Sequence, residues 1–138
     1  MMIAGLGYRL WLMPRYAGWE ESDYGNLAMI RGVLDGHFLH YDMNHMPGYY
    51  ALAAGMLALV GDTVLAARAT SVIAGVVALG LAVRLAEQLG GRRAAWIAGG
   101  LLVFQPEFAL YAASSLREPV YAAFALASVV CLLRERLI

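Results

Sequence analysis

Three long apolar stretches fill the chain after residue 63, over about 64–86, 94–113 and 119–133, and segments of this kind leave few choices of fold. About 20 apolar residues cross a bilayer as a helix. Val64 to Val83 carries a single charge, Arg68, and its Gly75 and Gly80 suit close helix packing in lipid. A short polar loop, 87–93, follows, where Gly90-Gly91 is expected to break the helix. The second stretch runs from about Ala94 to Ala113, with Pro106 and Glu107 toward its far end. The third starts at Pro119, where proline costs little because the first-turn N–H lacks a helical partner anyway. Only 14% of the chain is charged and 62% is hydrophobic, whereas a soluble domain carries about 25% charge. The expected class is all-α, with multi-pass transmembrane helices.

One polar island interrupts this composition. Trp19-Glu20-Glu21-Ser22-Asp23-Tyr24 opens it and His45-Met46-Pro47-Gly48-Tyr49-Tyr50 closes it. Between residues 20 and 45 lie five acids (Glu20, Glu21, Asp23, Asp35, Asp42), all three histidines and one arginine. Clustered carboxylates and histidines in one loop of an apolar chain point to chemistry in that loop. Within it, Ser22 or Asp23 is expected to cap a short helix from about Tyr24 to Leu34, ended by Asp35-Gly36. Leu27, Ile30 and Leu34 fall on one face of that helix, with Tyr24 a turn earlier. Residues 47–60 predict a second helix of roughly 21 Å, short for a ~30 Å hydrocarbon core. It reads as interfacial or re-entrant, with Tyr49 and Tyr50 as interface anchors.

Orientation follows from the arginines. Arg84, Arg92 and Arg93 flank the 87–93 loop, and Arg134 and Arg136 follow the third stretch. Two crossings separate the clusters, so both belong to one side, which the positive-inside rule makes cytoplasmic. Loop 15–46 has five acids against Arg15 and Arg31, which suits an external loop. Met1 to Pro14 is apolar but too short to span and is interrupted by Arg9, so it reads as the outer end of a first helix. A signal-peptide pattern is absent. Zero net charge argues against nucleic acid as a partner. The single cysteine, Cys131, forms no internal disulfide and reads as a small packing residue.

Taken in order, these motifs resemble the GT-C membrane glycosyltransferases, above all glycosyltransferase family 39 with the RgtA-like enzymes and the lipid A aminoarabinose transferase. Protein O-mannosyltransferases share that plan. Glu20-Glu21-x-x-Tyr24 is similar to the family's acidic pair and following Tyr, with Glu where Asp is usual. His45-Met46-Pro47-Gly48-Tyr49-Tyr50 is similar to its His/Pro motif and Arg68 to its span-start Arg. Pro106 and Ser115-x-x-Glu118-Pro119 are similar to its next external segment. The resemblance covers nearly the whole chain and implies the N-terminal part of one GT-C transmembrane domain: 1–14 the end of the first span, 15–63 an external loop with interfacial helices, then spans 64–86, 94–113 and 119–133.

The resemblance implies transfer of a sugar from a polyprenyl-phosphate donor to an acceptor hydroxyl on lipid A or lipopolysaccharide, another cell-envelope glycan or a protein. Transfer would occur at the external face of a bacterial inner membrane, with inversion. Glu20, Glu21 and Asp23 are the candidate general bases; the competing reading makes them a solvated helix start, where acids favour the dipole. Tyr24, His45, Tyr49, Arg68 and Glu118 are the candidate substrate-binding residues. Arg68 suits the lipid phosphate or, alternatively, snorkels to headgroups. Glu107, at membrane depth, is expected to face protein or a water cavity. No metal site is assigned; His37, His40 and Asp42 leave a divalent metal open, with irregular spacing. Trp11, Tyr16, Trp19 and Tyr111 are expected as interface anchors. The rival readings are a non-enzymatic multi-pass membrane protein, such as a transporter or assembly subunit, and an inactive piece of such a transferase.

Overall fold

The structure is a computed structural model and describes residues 2–13, 21–37 and 47–136. All regular structure among the described residues is helical: α1 (Met2–Leu12), α2 (Glu21–Leu34), α3 (Pro47–Val60), α4 (Thr63–Phe104), α5 (Pro106–Ala113) and α6 (Glu118–Arg136).

Helix α4 is two arms joined at one residue. Gly91 has φ 72° and ψ −174°, a conformation essentially confined to glycine. In a straight helix Leu79 and Val103 would stand roughly 36 Å apart. Both instead approach Gly5, Leu79 Cδ2 and Val103 Cγ2 lying 2.6 and 3.6 Å from the position of a Cβ there. Farther from the turn, Gly75 packs on Ala112 and the Ser71 hydroxyl donates to Leu116 O at 2.7 Å. Position falls along one arm as it rises along the other, so the chain doubles back at Gly91. The expected polar loop 87–93 is thus reduced to a one-residue break, with helix assigned up to Gly90.

The second predicted stretch, 94–113, is not one helix. Gln105 leaves the helical region (φ −67°, ψ 116°) and Pro106 starts α5. Pro106 has no N–H to donate to the preceding turn, which is why the break falls there. The third stretch, by contrast, is continuous as α6, with Pro119 buried in its first turn. Among the described residues only α4 is long and apolar enough to cross a membrane, and the pair α5–α6, bent by 111°, makes a second candidate if taken together.

Helix α1 runs antiparallel to the first arm of α4. Met2 lies against Gly80, Arg9 against Gly75, and Met13 O accepts from Arg68 Nη1 at 2.8 Å. Glycine at 75 is required by the packing: a Cβ there would sit 2.5 Å from Ala112 Cβ. Gly80, also expected at a close contact, meets only the flexible tip of Met2 at 3.4 Å.

Arg9 is fully buried at the centre of this packing. Its guanidinium lies 4.9 Å from the Phe108 ring centroid and donates from Nη1 to Gly5 O at 2.9 Å. Its Nε and Nη2 have no hydrogen-bond partner among the described residues. Cys131, expected as a packing residue, is exposed instead. It lies on a side of α6 that no described element covers.

The loop helices dock at the end of the bundle away from Gly91. Helix α2 begins at Glu21, so Ser22 and Asp23 lie within its first turn rather than capping it. It ends in a Schellman closure: Gly36 has φ 74°, and the His37 N–H donates to Gly32 O at 2.9 Å. Ile30 is fully buried and Leu27 packs beside it, as the spacing predicts, but Leu34 is half exposed. Helix α3 has the predicted bounds. Asp62 then caps α4, its carboxylate accepting from Leu65 N–H at 2.7 Å.

Candidate functional site

The two loop helices converge on the turn between α5 and α6. Asn26 of α2 and Tyr49 and Tyr50 of α3 are all buried. Tyr50 Oη donates to Asn26 Oδ1 at 2.8 Å, Asn26 Nδ2 donates to Ser115 O at 3.2 Å, and Tyr49 Oη donates to the same Ser115 O at 3.0 Å. The two tyrosine rings meet edge to face, with centroids 5.3 Å apart. A second tie runs from Arg31 Nε to Thr63 Oγ1 at 2.8 Å, fastening α2 to the start of α4. Below the turn, Ser71 of α4 reaches Leu116 O. A buried polar group must be paired or costs about 1–3 kcal/mol, and here each member finds a partner on another element.

Tyr49 and Tyr50 are therefore not the surface anchors that aromatic residues at a membrane interface suggest. Both lie inside the protein, with Tyr49 at 0% and Tyr50 at 2% exposure. Burial pushes the Tyr50 hydroxyl up to about 12, and the nearby Tyr121 and Glu118 push in the same direction because a second negative charge there is unfavourable. Trp11 and Tyr111 are about half exposed.

The other candidate residues divide as follows. Glu21, Asp23 and Tyr24 lie in the first turn of α2. That places them roughly 3–8 Å of helix rise before Asn26, at the end of the bundle where the α5–α6 turn lies. Glu118 opens α6 and is exposed. Arg117 and Glu118 thus flank the turn that the tyrosines and Asn26 grip. Arg68 lies in the second turn of α4, half buried, and ties α1 through Met13 O. Glu20 and His45 lie outside the described residues, as do His40, Asp42, Tyr16 and Trp19. His37 is exposed just past the end of α2. Glu107 is exposed in the first turn of α5. It does not face protein among the described residues, because α5 turns its buried face, Ala109, Ala112 and Ala113, toward α1 and α4.

Sequence patterning gave no site role to Asn26, Arg31, Thr63 and Ser71, and read Tyr50 as an interface anchor. Their one sequence signal is a polar side chain at a position where the helical spacing calls for an apolar one. Asn26 lies four residues before Ile30 on the packed face of α2.

The described residues thus form an all-helical, apolar bundle whose loop helices are clamped over the α5–α6 turn. The family described as dolichyl-phosphate-mannose-protein mannosyltransferase matches residues 44–135, more than half of the chain, and the chain belongs to that family. The match takes in α3 to α6 with the whole α5–α6 turn, but not α2. Neither the curated proteins nor the solved structures contain a match.

Proposed function

We propose that this chain forms part of a membrane glycosyltransferase that moves a sugar from a polyprenyl-phosphate carrier to an acceptor hydroxyl at the external face of the membrane. One observation carries the reading: the clamp built by Asn26, Tyr49 and Tyr50 on Ser115 O holds the acid-bearing start of α2 at the same end of the bundle as Glu118 and Arg117. The basic residues Arg84, Arg92 and Arg93 lie toward the Gly91 end. An acidic end opposite a basic end is the polarity that the positive-inside rule gives a membrane protein with its acids outside. Family membership supports glycosyl transfer.

In this reading a carboxylate among Glu20, Glu21 and Asp23 takes the proton from the acceptor hydroxyl. The oxygen attacks the anomeric carbon as the bond to the phosphate oxygen breaks, so the configuration inverts and the lipid phosphate leaves with the bonding pair. Cationic groups stabilise that departing charge. Arg68 and His45 serve there, with Tyr24 and Glu118 on the sugar or acceptor. Tyr49, buried and bonded to Ser115 O, acts as a positioning residue. The acceptor class is a cell-envelope glycan, lipid A or protein, and the compartment is the bacterial inner membrane.

Two measurements test the proposal. A cysteine at Ser22, in a Cys131→Ser background because Cys131 is itself exposed, is expected to react with an impermeant thiol reagent in intact cells. Alanine at Glu20, Glu21 and Asp23 in turn is expected to abolish transfer from a polyprenyl-phosphate sugar in at least one case. Full activity in all three variants sinks the catalytic assignment, and labelling of Ser22→Cys only after lysis sinks the topology.

A further inference from the structure

On the face formed by α3, α4 and α6, two cavities lie next to each other. One, of about 310 Å³, runs between Leu52 and Met56 of α3, Ile73 and Val77 of α4, and Phe124 and Ala127 of α6. The other, of about 620 Å³, opens at the clamp end between Gly48 and Tyr49 on one side and Arg117 and Tyr121 on the other. Val120 and Phe124 line both, so the two adjoin as an apolar shaft and a mouth that carries Arg117 and Tyr121.

The shaft offers a ligand nothing polar. Its one polar wall residue, Thr70, spends its hydroxyl on Ala66 O at 2.8 Å. Along α4 the shaft extends from Thr70 to Leu81, roughly 17 Å of helix. That is about half of a ~30 Å hydrocarbon core, the depth of a single leaflet. At the mouth, the Tyr49 hydroxyl is committed to Ser115 O, and Glu118 follows on the first turn of α6. Arg117 has no ion pair with any described residue and is only half exposed. A cation at the mouth of an apolar groove one leaflet deep is complementary to an anionic amphiphile.

We propose that this cleft binds a membrane phospholipid with a net negative head. Its phosphodiester would lie on Arg117 and Tyr121, and one acyl chain would run down the Phe124–Val77 shaft. The depth favours an acyl chain over a polyprenyl chain, which is built from many isoprene units and overruns a single-leaflet groove. The inference rests on the membrane placement proposed above but not on the sugar-transfer chemistry.

The test uses the purified protein in phosphatidylcholine nanodiscs, titrated with phosphatidylglycerol and followed by native mass spectrometry. Resistance to carbonate extraction is scored on the same membranes, so a failure of membrane placement is read separately. Saturable binding of one phosphatidylglycerol per chain is expected, preferred over phosphatidylcholine by about five-fold, the electrostatic worth of one arginine at an anionic lipid surface. Arg117→Gln is expected to abolish the preference and Arg117→Lys to keep most of it. Ala127→Trp, which fills the shaft, is expected to abolish binding with helical circular dichroism unchanged. Equal binding of the two phospholipids, or an undiminished preference in Arg117→Gln, overturns the proposal. Displacement of phosphatidylglycerol by equimolar polyprenyl phosphate also overturns it, and reassigns the cleft to the sugar carrier.

Discussion

Replacing Tyr50 by Phe deletes one oxygen and tests whether the loop helices are held by the buried polar clamp or simply by apolar contact. The Tyr50 hydroxyl is 2.8 Å from Asn26 Oδ1, and Asn26 is only 6% exposed, so water does not replace the lost donor. A buried acceptor left without a partner costs about 1–3 kcal/mol. The ring itself keeps its packing, so that figure is the whole expected loss. It should fall on α2, because among the described residues α2 is fastened by two further side-chain hydrogen bonds, Asn26 to Ser115 O and Arg31 to Thr63. Hydrogen exchange of the 25–34 amides should therefore accelerate by roughly 5- to 150-fold, while the arms of α4 keep their protection. Combining Tyr50→Phe with Asn26→Leu removes both ends of the bond and strands nothing on α2. Ser115 O still receives the Tyr49 hydroxyl, so the double variant should exchange more slowly than Tyr50→Phe alone. Less than two-fold acceleration in the single variant, or a double variant worse than either single one, would refute the clamp as the feature that orders α2.

Further outcomes follow from the same contacts. With the Tyr50 hydroxyl raised to about 12 against about 10 in the unfolded chain, the unfolded state loses its proton first; stability should fall as pH rises from about 10 through 12 and be unaffected below that window. A pH series of thermal unfolding should show this fall in the wild type, and Tyr50→Phe should lack that component. Gly91→Ala forces a side chain into φ 72°, ψ −174° and should cost about 1–3 kcal/mol; an unchanged denaturation midpoint would argue against the one-residue turn. Gly75→Ala meets Ala112 Cβ at 2.5 Å and should cost about 1–3 kcal/mol by overpacking, with Ala112→Gly restoring most of it in a thermal melt. Arg9→Met removes two buried nitrogens that lack partners among the described residues and should raise stability by about 1–3 kcal/mol; a loss of stability would mean that those nitrogens are satisfied.

Much of the architecture was legible in advance. Helix α3, the end of α2 at Gly36, the turn at Gly90-Gly91 and the start of α6 beside Pro119 all follow from local chemistry: apolar run length, a glycine where φ is positive, a proline where no N–H is needed. The errors were also local in origin. Ser22 and Asp23 have the chemistry of a cap, but the helix begins at Glu21, three residues before the expected start at Tyr24. Run length alone joined 94 to 113 across Pro106, although the missing N–H of that proline breaks the helix.

The candidate site was legible only as residue types in order. That acids open the polar loop and that Glu118 stands beside Pro119 at the start of the third apolar stretch is written in the chain. That α2 and α3 grip Ser115 O, that Tyr49 and Tyr50 turn inward, and that Arg9 lies buried under Phe108 depends on contacts spanning up to 99 positions, from Arg9 to Phe108. Periodicity reports which face of a helix is apolar, because that preference is a property of each residue against solvent. It does not report which polar atom meets which, because a hydrogen bond needs two partners within about 3 Å, and only the packed bundle brings them there.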